Sequence, residues 1–400
     1  MYEPYNSFML RFILPIISLL LIFNACTDRQ QPLTELIDEQ LSFAAEQYKG
    51  MHAIVPADRL PRSTHMETGE LVTSDSRWWC SGFFPGSLWY LYDYTGDEVL
   101  KEMAMARTAL IEKEQYNTGT HDLGFMINNS FGNGLRIAGI EAYKPVMING
   151  AYSLMTRYNE TVGCIKSWDH GNWTFPVIID NMMNLEYLMW AFRETGDTTF
   201  YNVCISHSEK TMDNHFRDDY SSCHLVDYDT ITGEVLGHQT VQGYADESAW
   251  ARGQAWGFYG FVTMFRETGD IRYLEQAVRI ADFMINHPNM PEDGVPYWDF
   301  NAPDIPDAKR DASAGAILAS GLIELSGYAA AEDAETYLDF AEKTVRSLAS
   351  PAYRADVGAN NYFILKHSVG HLPKNSEVDV PLTYADYYFI EALMRLNALN

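Results

Sequence analysis

The chain has 400 residues, of which 14% are aromatic and 20% charged, and its formal net charge at pH 7 is −26. So acidic a chain is a poor partner for nucleic acid or an anionic membrane surface, and it binds an anionic substrate only where Arg or Lys supplies local positive charge. The length allows one large domain or two ordinary ones, and the 9 Trp and 25 Tyr residues can build a large core and a cleft that stacks on rings.

The first predicted element is a targeting segment. Residues 12–23 form an apolar run of the length found in signal peptides, which is short for a membrane span. A small residue precedes Cys26, as in bacterial lipoprotein signals. We therefore predict a lipoprotein-type signal peptide over 1–25, lipidation of Cys26 and a polar tether over 26–32. The protein would be exported to the periplasm, or anchored in the outer membrane, of a Gram-negative bacterium.

A helical pattern begins after the tether. Apolar residues repeat at three and four positions over 33–53, which predicts a helix, whereas residues 54–77 have the composition of a loop. A Thr-Gly-Asp sequence then recurs at residues 95–97, 195–197 and 268–270, each time between two apolar helical stretches. Gly can end one helix in the left-handed conformation and Asp can cap the next, so each copy predicts a tight helical hairpin.

The rest of the chain continues this series. A weaker hairpin is predicted at 322–337, and helices are predicted at 134–144 and 147–157 with a break at Pro145. Roughly six or seven hairpins must stack to bury their apolar faces, either as an open solenoid or as a closed ring. Long connections rich in aromatic residues, His and Asp alternate with the short turns, which favours a closed ring with a site at one mouth. Strand-like pieces at 223–240 and 361–367 are predicted to decorate that mouth.

No metal or organic cofactor is predicted. The cysteines after residue 26 are Cys80, Cys164, Cys204 and Cys223, which have neither CxxC spacing nor a neighbouring His cluster of zinc type. In an exported protein they are compatible with one or two disulfides and equally with buried free thiols.

Two aspartates are candidate catalytic residues. Asp180 lies between V-I-I and N-M-M-N-L, and an apolar environment disfavours the ionised carboxylate and raises its pKa, as a proton donor requires. Asp122 lies in H-D-L-G-F, in another weakly charged connection. Either residue alone could simply begin a helix. Two carboxylates at one mouth are typical of glycoside chemistry.

The third candidate group is the segment 242–257, Q-G-Y-A-D-E-S-A-W-A-R-G-Q-A-W-G. Arg252 and Trp256 are four residues apart and would share one helical face. Arg offers a planar fork for a carboxylate and Trp a stacking surface, which together suit a uronic acid. The alternative is a surface Arg that covers a core Trp. His224 and His238, in the predicted hairpin before this segment, could bind a ligand or be core polar groups.

These segments carry a family resemblance. The motifs W-C-S-G-F-F-P-G, H-D-L-G-F, F-P-V-I-I-D-N-M-M-N-L-E, Q-G-Y-A-D-E-S-A-W-A-R-G-Q-A-W-G and D-A-S-A-G-A-I resemble those of the unsaturated glucuronyl hydrolases, glycoside hydrolase family 88. The resemblance extends from about residue 33 to the C-terminus. It implies an all-α fold, a six-hairpin α/α barrel in which 33–400 form a single catalytic domain, with small β-hairpins at the mouth.

The resemblance also implies a reaction and its residues. The family removes the unsaturated uronic acid that polysaccharide lyases leave at the non-reducing end of glycosaminoglycan oligosaccharides, by hydration of the C4=C5 vinyl ether. Asp180 would be the general acid and base, and Asp122 the second essential carboxylate. The predicted substrate-binding residues are His224, Gln242, Arg252, Trp256, Trp79, Trp168, Ser368 and Lys374. The expected ligands are oligosaccharides that end in an unsaturated uronate, with no nucleic acid, and with the membrane only through the lipid anchor.

The loop 367–374 bears on specificity. It resembles a family loop that faces the next sugar, where some members hold a sulfate with two Ser residues and a Lys. Ser368 fits the first position, but His371 and Pro373 replace the other two, and Lys374 follows one residue later. Heparin-type substrates and hyaluronan- or chondroitin-type substrates both stay open. The alternatives are an unsaturated rhamnogalacturonyl hydrolase on the same barrel, a surface lipoprotein that binds glycans without cleaving them, and an exo-hydrolase of saturated sugars.

Overall fold

The computed structural model describes residue 1 and residues 30–400. The predicted signal peptide and Cys26 therefore lie outside the described residues. The helices are α1 (Leu33–Ile54), α2 (Phe83–Thr95), α3 (Glu98–Ala109), α4 (Asn133–Ala138), α5 (Lys144–Met155), α6 (Leu185–Thr195), α7 (Thr198–Asn214), α8 (Ala251–Thr268), α9 (Ile271–Asn286), α10 (Ala312–Ser326), α11 (Ala331–Ala349) and α12 (Thr383–Leu399). A π-helix, Gly124–Gly132, runs directly into α4. Among the described helices, none is both long enough and apolar enough to cross a membrane.

Short antiparallel strands lie between the helices. They are β1 (Leu60–Thr64), β2 (Leu71–Ser74), β3 (Tyr158–Asn159), β4 (Cys164–Ile165), β5 (Pro176–Ile178), β6 (Leu225–Tyr228), β7 (Val235–Gln239), β8 (Ser368–His371) and β9 (Ser376–Val380). They pair as β1–β2, β3–β4, β5–β6–β7 and β8–β9. The strands β6 and β7 confirm the hairpin predicted at 223–240.

The recurring Thr-Gly-Asp turns form the predicted helical hairpins. Gly96, Gly196 and Gly269 have φ angles of 66°, 74° and 70°, the left-handed conformation that glycine adopts without a steric penalty. Each following Asp accepts a hydrogen bond in its side chain from the backbone N–H two residues later, which caps the next helix. The chain therefore reverses after α2, α6 and α8, and the outer helix returns along the inner one.

The helices close into a ring of six inner segments. In order of contact these are α2, the π-helix with α4, α6, α8, α10 and α12, which packs again on α2. The outer helices α1, α3, α5, α7, α9 and α11 alternate with them along the chain. The all-α barrel with small β-hairpins, which the sequence predicted, is confirmed.

Burial distinguishes inner from outer helices. In α8, residues 251–264 are buried on every side, whereas α9 buries only one face. Glycines let α8 approach the segment before α6: a Cβ at Gly260 would lie 2.4 Å from the Cβ of Met182, and one at Gly257 would lie 3.0 Å from the side chain of Ile179. The inner ring is therefore closely packed where α8 meets the segment before α6.

Three local predictions were wrong. Residues 54–77 contain the β1–β2 hairpin rather than loop alone. The helix predicted over 134–144 ends at Ala138, because Gly139 takes a left-handed φ of 65°, and Pro145 lies in the first turn of α5, where its missing N–H has no cost. The strand predicted at 361–367 begins only at Ser368.

The cysteines after residue 26 are free and buried, which excludes disulfides between them.

Candidate active site

The predicted catalytic aspartates and the predicted substrate-binding Arg252 lie at the N-terminal ends of the inner segments. Asp122 lies just before the π-helix, Asp180 lies in the 3-10 helix Ile179–Asn184 that leads into α6, and Arg252 lies in the first turn of α8. Helix N-termini carry partial positive charge from unpaired N–H groups. This mouth therefore favours an anionic group in spite of the overall net charge of −26.

Asp180 is a buried carboxyl with no hydrogen-bond partner for its Oδ2 atom among the described residues. Burial raises its pKa to about 7, with a smaller opposing effect from the Arg252 guanidinium and a raising effect from Asp122. The Asp180 side chain caps no helix, so the capping interpretation is wrong: Ile178 precedes the 3-10 helix and Asn184 precedes α6, each without a side-chain cap. What remains is a carboxylic acid that is half protonated near neutral pH.

His224 faces Asp180 as a neutral donor. Its Nδ1 accepts from the backbone N–H groups of Val241, at 2.9 Å, and Gln242, at 3.2 Å. The proton of the neutral ring therefore lies on Nε2, which is 3.9 Å from Asp180 Oδ2. Burial holds the pKa of His224 well below its usual value. The 3.9 Å gap is too long for a hydrogen bond, so both atoms are available to a ligand.

Asp122 is joined to the Asp180 segment by Asn184. The Oδ1 of Asn184 accepts from Phe125 N at 3.1 Å, and a Cβ at Gly124 would lie 2.6 Å from that same oxygen. Glycine therefore allows the two carboxylate-bearing segments to touch. The Asp122 Oδ2 accepts from Thr120 Oγ1 at 2.8 Å. Sequence reasoning assigned no role to Asn184, because its partner is 59 residues away.

Arg252 is 1% exposed, and its guanidinium is engaged within the protein. It pairs with Asp311 Oδ2 at 3.0 Å, and it donates to the backbone carbonyls of Val369 and Gly370. The guanidinium that was predicted to bind a substrate carboxylate therefore bonds to groups of the protein itself. Gln242 Nε2 donates to the same Gly370 carbonyl at 3.1 Å. Asp311 received no role from the sequence.

Trp256 is completely buried, so the prediction that its ring stacks on a sugar is wrong. The ring packs against Phe125 and Tyr388, with centroids 5.1 and 5.3 Å away. Its indole N–H nevertheless has no acceptor among the described residues. Trp79 is half-buried and packs on Tyr384 at 4.9 Å, in the position of an aromatic wall.

The β8–β9 hairpin lies over this mouth. Ser368 is fully buried and Lys374 is exposed, so the two predicted loop residues differ in what they can touch. Between them, His371 Nδ1 accepts from Lys374 N at 3.3 Å, which leaves the ring proton on Nε2. Burial lowers the pKa of His371 to about 4, with further lowering by the nearby Lys374 and Arg252 charges.

Several unpaired buried polar atoms belong to predicted site residues or to their neighbours. Most buried polar groups in folded proteins have a partner, so each exception needs an explanation. In the described part of the chain the exceptions include His121 Nδ1, Trp168 Nε1, Asp180 Oδ2, His224 Nε2, Trp256 Nε1, Ser368 Oγ and His371 Nε2. A polar ligand that supplies their hydrogen bonds is the natural explanation. Within residues 30–400 no group of three or more His, Cys, Asp or Glu side chains is arranged to hold a metal ion.

A cavity of about 940 Å³ opens at the other end of the ring, at the C-terminal ends of the inner helices. Several of its charged groups pair with acidic side chains: Arg266 with Glu186 and Glu324, and Arg395 with Glu324 and Glu391. Arginines at helix C-termini oppose the negative end of the helix dipole. This end of the barrel is therefore held by ion pairs, and the predicted catalytic residues lie at the opposite end.

Comparison with known proteins decides the family. No family model matches the chain. The unsaturated glucuronyl hydrolase of Formosa agariphila is 47% identical over 344 residues, which cover 85% of each chain. The chain belongs to the unsaturated glucuronyl hydrolase family. It is therefore a glycoside hydrolase, and the predicted family and enzyme class are confirmed.

Two solved structures of this family have the same fold. An unsaturated glucuronyl hydrolase specific for heparin is 45% identical with a TM-score of 0.89, covering 91% of this chain and 98% of that one. The unsaturated glucuronyl hydrolase of Bacillus sp. GL1, responsible for the degradation of glycosaminoglycan, is 32% identical with a TM-score of 0.84, covering 91% and 97%.

Proposed function

We propose that this chain removes the unsaturated (4,5-didehydro) uronic acid from the non-reducing end of lyase-generated glycosaminoglycan oligosaccharides. The observation that carries the proposal is Asp180: a buried, unpaired carboxyl whose pKa of about 7 keeps a proton available at neutral pH. The family relationship supports it, since the relatives are unsaturated glucuronyl hydrolases.

The reaction is hydration of the vinyl ether. Asp180 donates its proton to C4 of the C4=C5 double bond, and positive charge develops at C5 and the ring oxygen. Water adds to C5, and the Asp180 carboxylate accepts the proton that the water loses. The resulting hemiketal opens: its C5 hydroxyl becomes a ketone, the C5–O5 bond breaks and the ring oxygen takes the hydroxyl proton, which leaves a hemiacetal at C1. That hemiacetal collapses to an aldehyde, and the remaining saccharide departs as an alcohol. Asp122 holds sugar hydroxyls, and its negative charge adds to the larger effect of burial, which raises the pKa of Asp180.

The donors around Asp180 hold the sugar. His224 Nε2–H, Trp168 Nε1–H and Trp256 Nε1–H are buried N–H groups without acceptors in the described structure, and hydroxyl or carboxylate oxygens would supply them. The positive charge of Arg252 and the helix N-termini attract the uronate carboxylate. Gln242 lies at the same edge, and Trp79 provides a flat wall for the ring. Each contact replaces water that the free sugar must lose.

Heparin-derived disaccharides are the proposed first substrates. The relative at 45% identity is specific for heparin. In this chain His371 and Pro373 stand where two residues of a sulfate-holding pattern would be, which disfavours the sulfated-chondroitin mode of recognition. The Ser368 hydroxyl and the His371 Nε2–H then face the second sugar as neutral donors, with Lys374 at the rim.

The decisive assay follows the absorbance of the C4=C5 bond. Purified protein is incubated with unsaturated disaccharides from heparin, hyaluronan and chondroitin, and with an unsaturated rhamnogalacturonan disaccharide. We expect the absorbance to fall with a glycosaminoglycan disaccharide and to stay constant with the Asp180→Asn variant. A fall in absorbance only with the rhamnogalacturonan disaccharide would assign the enzyme the rival activity. Binding without any loss would make the protein a glycan-binding lipoprotein, and both outcomes overturn the proposal.

We further propose that residues 1–25 direct export, that Cys26 is lipidated, and that 26–32 tether one catalytic barrel, residues 33–400, in the periplasm or at the outer membrane. The support is the apolar run followed by a small residue and a cysteine. Mass spectrometry of the mature N-terminus from a Gram-negative host tests this. An unmodified chain that begins at Met1 would refute it, and Cys26→Ser should abolish the lipid mass.

A further inference from the structure

Asp311 combines a helix cap with a buried ion pair. It precedes α10 and is 0% exposed. Its Oδ1 accepts from the backbone N–H of Ser313 at 3.0 Å, which is the ordinary capping bond. Its Oδ2 accepts from Arg252 Nη1 at 3.0 Å. The capping bond needs one oxygen, so the pair with Arg252 is a separate interaction.

The other Asp side chains that cap helices in the described part of the chain make no fully buried ion pair. Asp97, Asp197 and Asp270 cap outer helices at the short turns, and each lies at the surface or is only partly buried. Asp270, for example, pairs with Arg272, a side chain that is 51% exposed. Ion pairs at such a surface contribute little to stability. The Asp311–Arg252 pair is completely buried, where loss of one charge leaves the other uncompensated.

Arg252 links the Asp311 ion pair to the β8–β9 hairpin. The guanidinium donates to the carbonyl of Val369 and, at 2.7 Å, to that of Gly370. Gln242 Nε2 donates to the Gly370 carbonyl from a second element at 3.1 Å. Two donors from different directions fix the plane of that peptide. The next residue is His371, so this anchoring also sets where the His371 ring lies.

The start of α10 is bonded to the same hairpin directly. Ala312 N donates to the carbonyl of His367 at 3.0 Å, and Val369 N lies 3.4 Å from Asp311 Oδ1. Asp311 is thus bonded to the hairpin on two sides, through Arg252 and through the Val369 amide. None of these bonds involves Asp180 or Asp122, the residues that carry out the proposed chemistry.

We propose that Asp311 is a positioning residue: through Arg252 it fixes the β8–β9 hairpin and thereby the binding of the sugar that follows the unsaturated uronate. The proposal rests on the proposed function for the identity of that sugar. It separates two tasks in the mouth. Asp180 and Asp122 act on the unsaturated ring, and Asp311 determines how well the leaving saccharide is held. A displaced hairpin weakens contacts to the second sugar and leaves the first ring in place.

The test compares Asp311→Asn with Asp270→Asn as the matched control, because asparagine caps helices as well as aspartate. Two substrates are used: an unsaturated heparin disaccharide and the methyl glycoside of the same unsaturated uronate, which lacks a second sugar. For Asp311→Asn we expect KM for the disaccharide to rise about 10- to 100-fold, and KM for the methyl glycoside to change by less than about threefold. Equal losses on both substrates would overturn the proposal.

Hydrogen exchange gives a readout that does not depend on activity. Amides of residues 368–380 should exchange faster in Asp311→Asn than in Asp270→Asn or the wild type, and unchanged exchange would overturn the proposal. If Asp311→Asn does not fold, Arg252→Lys replaces it, because one ammonium keeps the charge beside Asp311 but cannot hold the acid and both carbonyls. The same hairpin exchange is then decisive. A wild type inactive on both substrates would refute the proposed function, while the exchange result would still decide the anchoring.

Discussion

Asp180→Asn should abolish activity and stabilise the fold in alkaline solution. The pKa of Asp180 is about 7 in the folded protein, against an ordinary value of 3.8 for an aspartate in an unfolded chain. Below the lower value the carboxyl is protonated in both states and contributes no pH dependence. Between the two values folding requires proton uptake, so stability falls by about 1.4 kcal/mol per pH unit. Above pH 7 the accumulated cost is on the order of 4 kcal/mol, which the uncharged asparagine avoids.

The assay is urea unfolding of the wild type and the variant at pH 5 and pH 8. We expect the stability advantage of Asp180→Asn to be about 3 kcal/mol larger at pH 8 than at pH 5, since two pH units of proton uptake lie between pH 5 and the folded pKa. Asp270→Asn is the control. The pKa of the Asp270 carboxyl is lowered, so that group stays ionised from pH 5 to pH 8. An advantage of equal size at both pH values would refute the assignment of a raised pKa to Asp180.

Three further outcomes are expected. Wild-type kcat/KM should fall as pH rises through about 7. Asp122→Asn should reduce activity at least about 100-fold and move the fall to lower pH, because it removes a charge that raises the pKa of Asp180. A pH profile of the residual activity checks this. Trp256→Phe removes the N–H donor together with part of a completely buried ring, so KM should rise and the urea midpoint should fall; an unchanged KM would contradict the donor role. Gly82→Ala should destabilise by about 1–3 kcal/mol, since its Cβ would lie 2.1 and 2.3 Å from two backbone carbonyl oxygens, whereas Gly119→Ala, whose Cβ would have a nearest neighbour at 3.4 Å, should be tolerated in the same unfolding experiment.

The hairpin architecture was predictable because its signals are local. Gly196 ends one helix and Asp197 caps the next, so any copy of the pattern can be recognised within three residues. The raised pKa of Asp180 was predictable for the same reason, since its apolar neighbours are adjacent in sequence. What Arg252 touches was not, because Asp311 is 59 residues away and Gly370 is 118 away. The spacing of Arg252 and Trp256 correctly indicated a shared helical face, but spacing does not tell whether that face meets solvent or protein.

The π-helix sets where Asp122 lies relative to the rest of the barrel. Its turns are wider than α-helical turns, so the segment Gly124–Gly132 holds an extra residue between Asp122 and α4. Deletion of one residue there would allow an ordinary α-helix and turn the residues immediately before it, including Asp122, by about 100° relative to α4, the angle between successive residues of an α-helix. Asp122 would leave the mouth, while α4 and the ring beyond it kept their packing. Loss of one residue from the π-helix would therefore leave a folded barrel without the second carboxylate at its mouth.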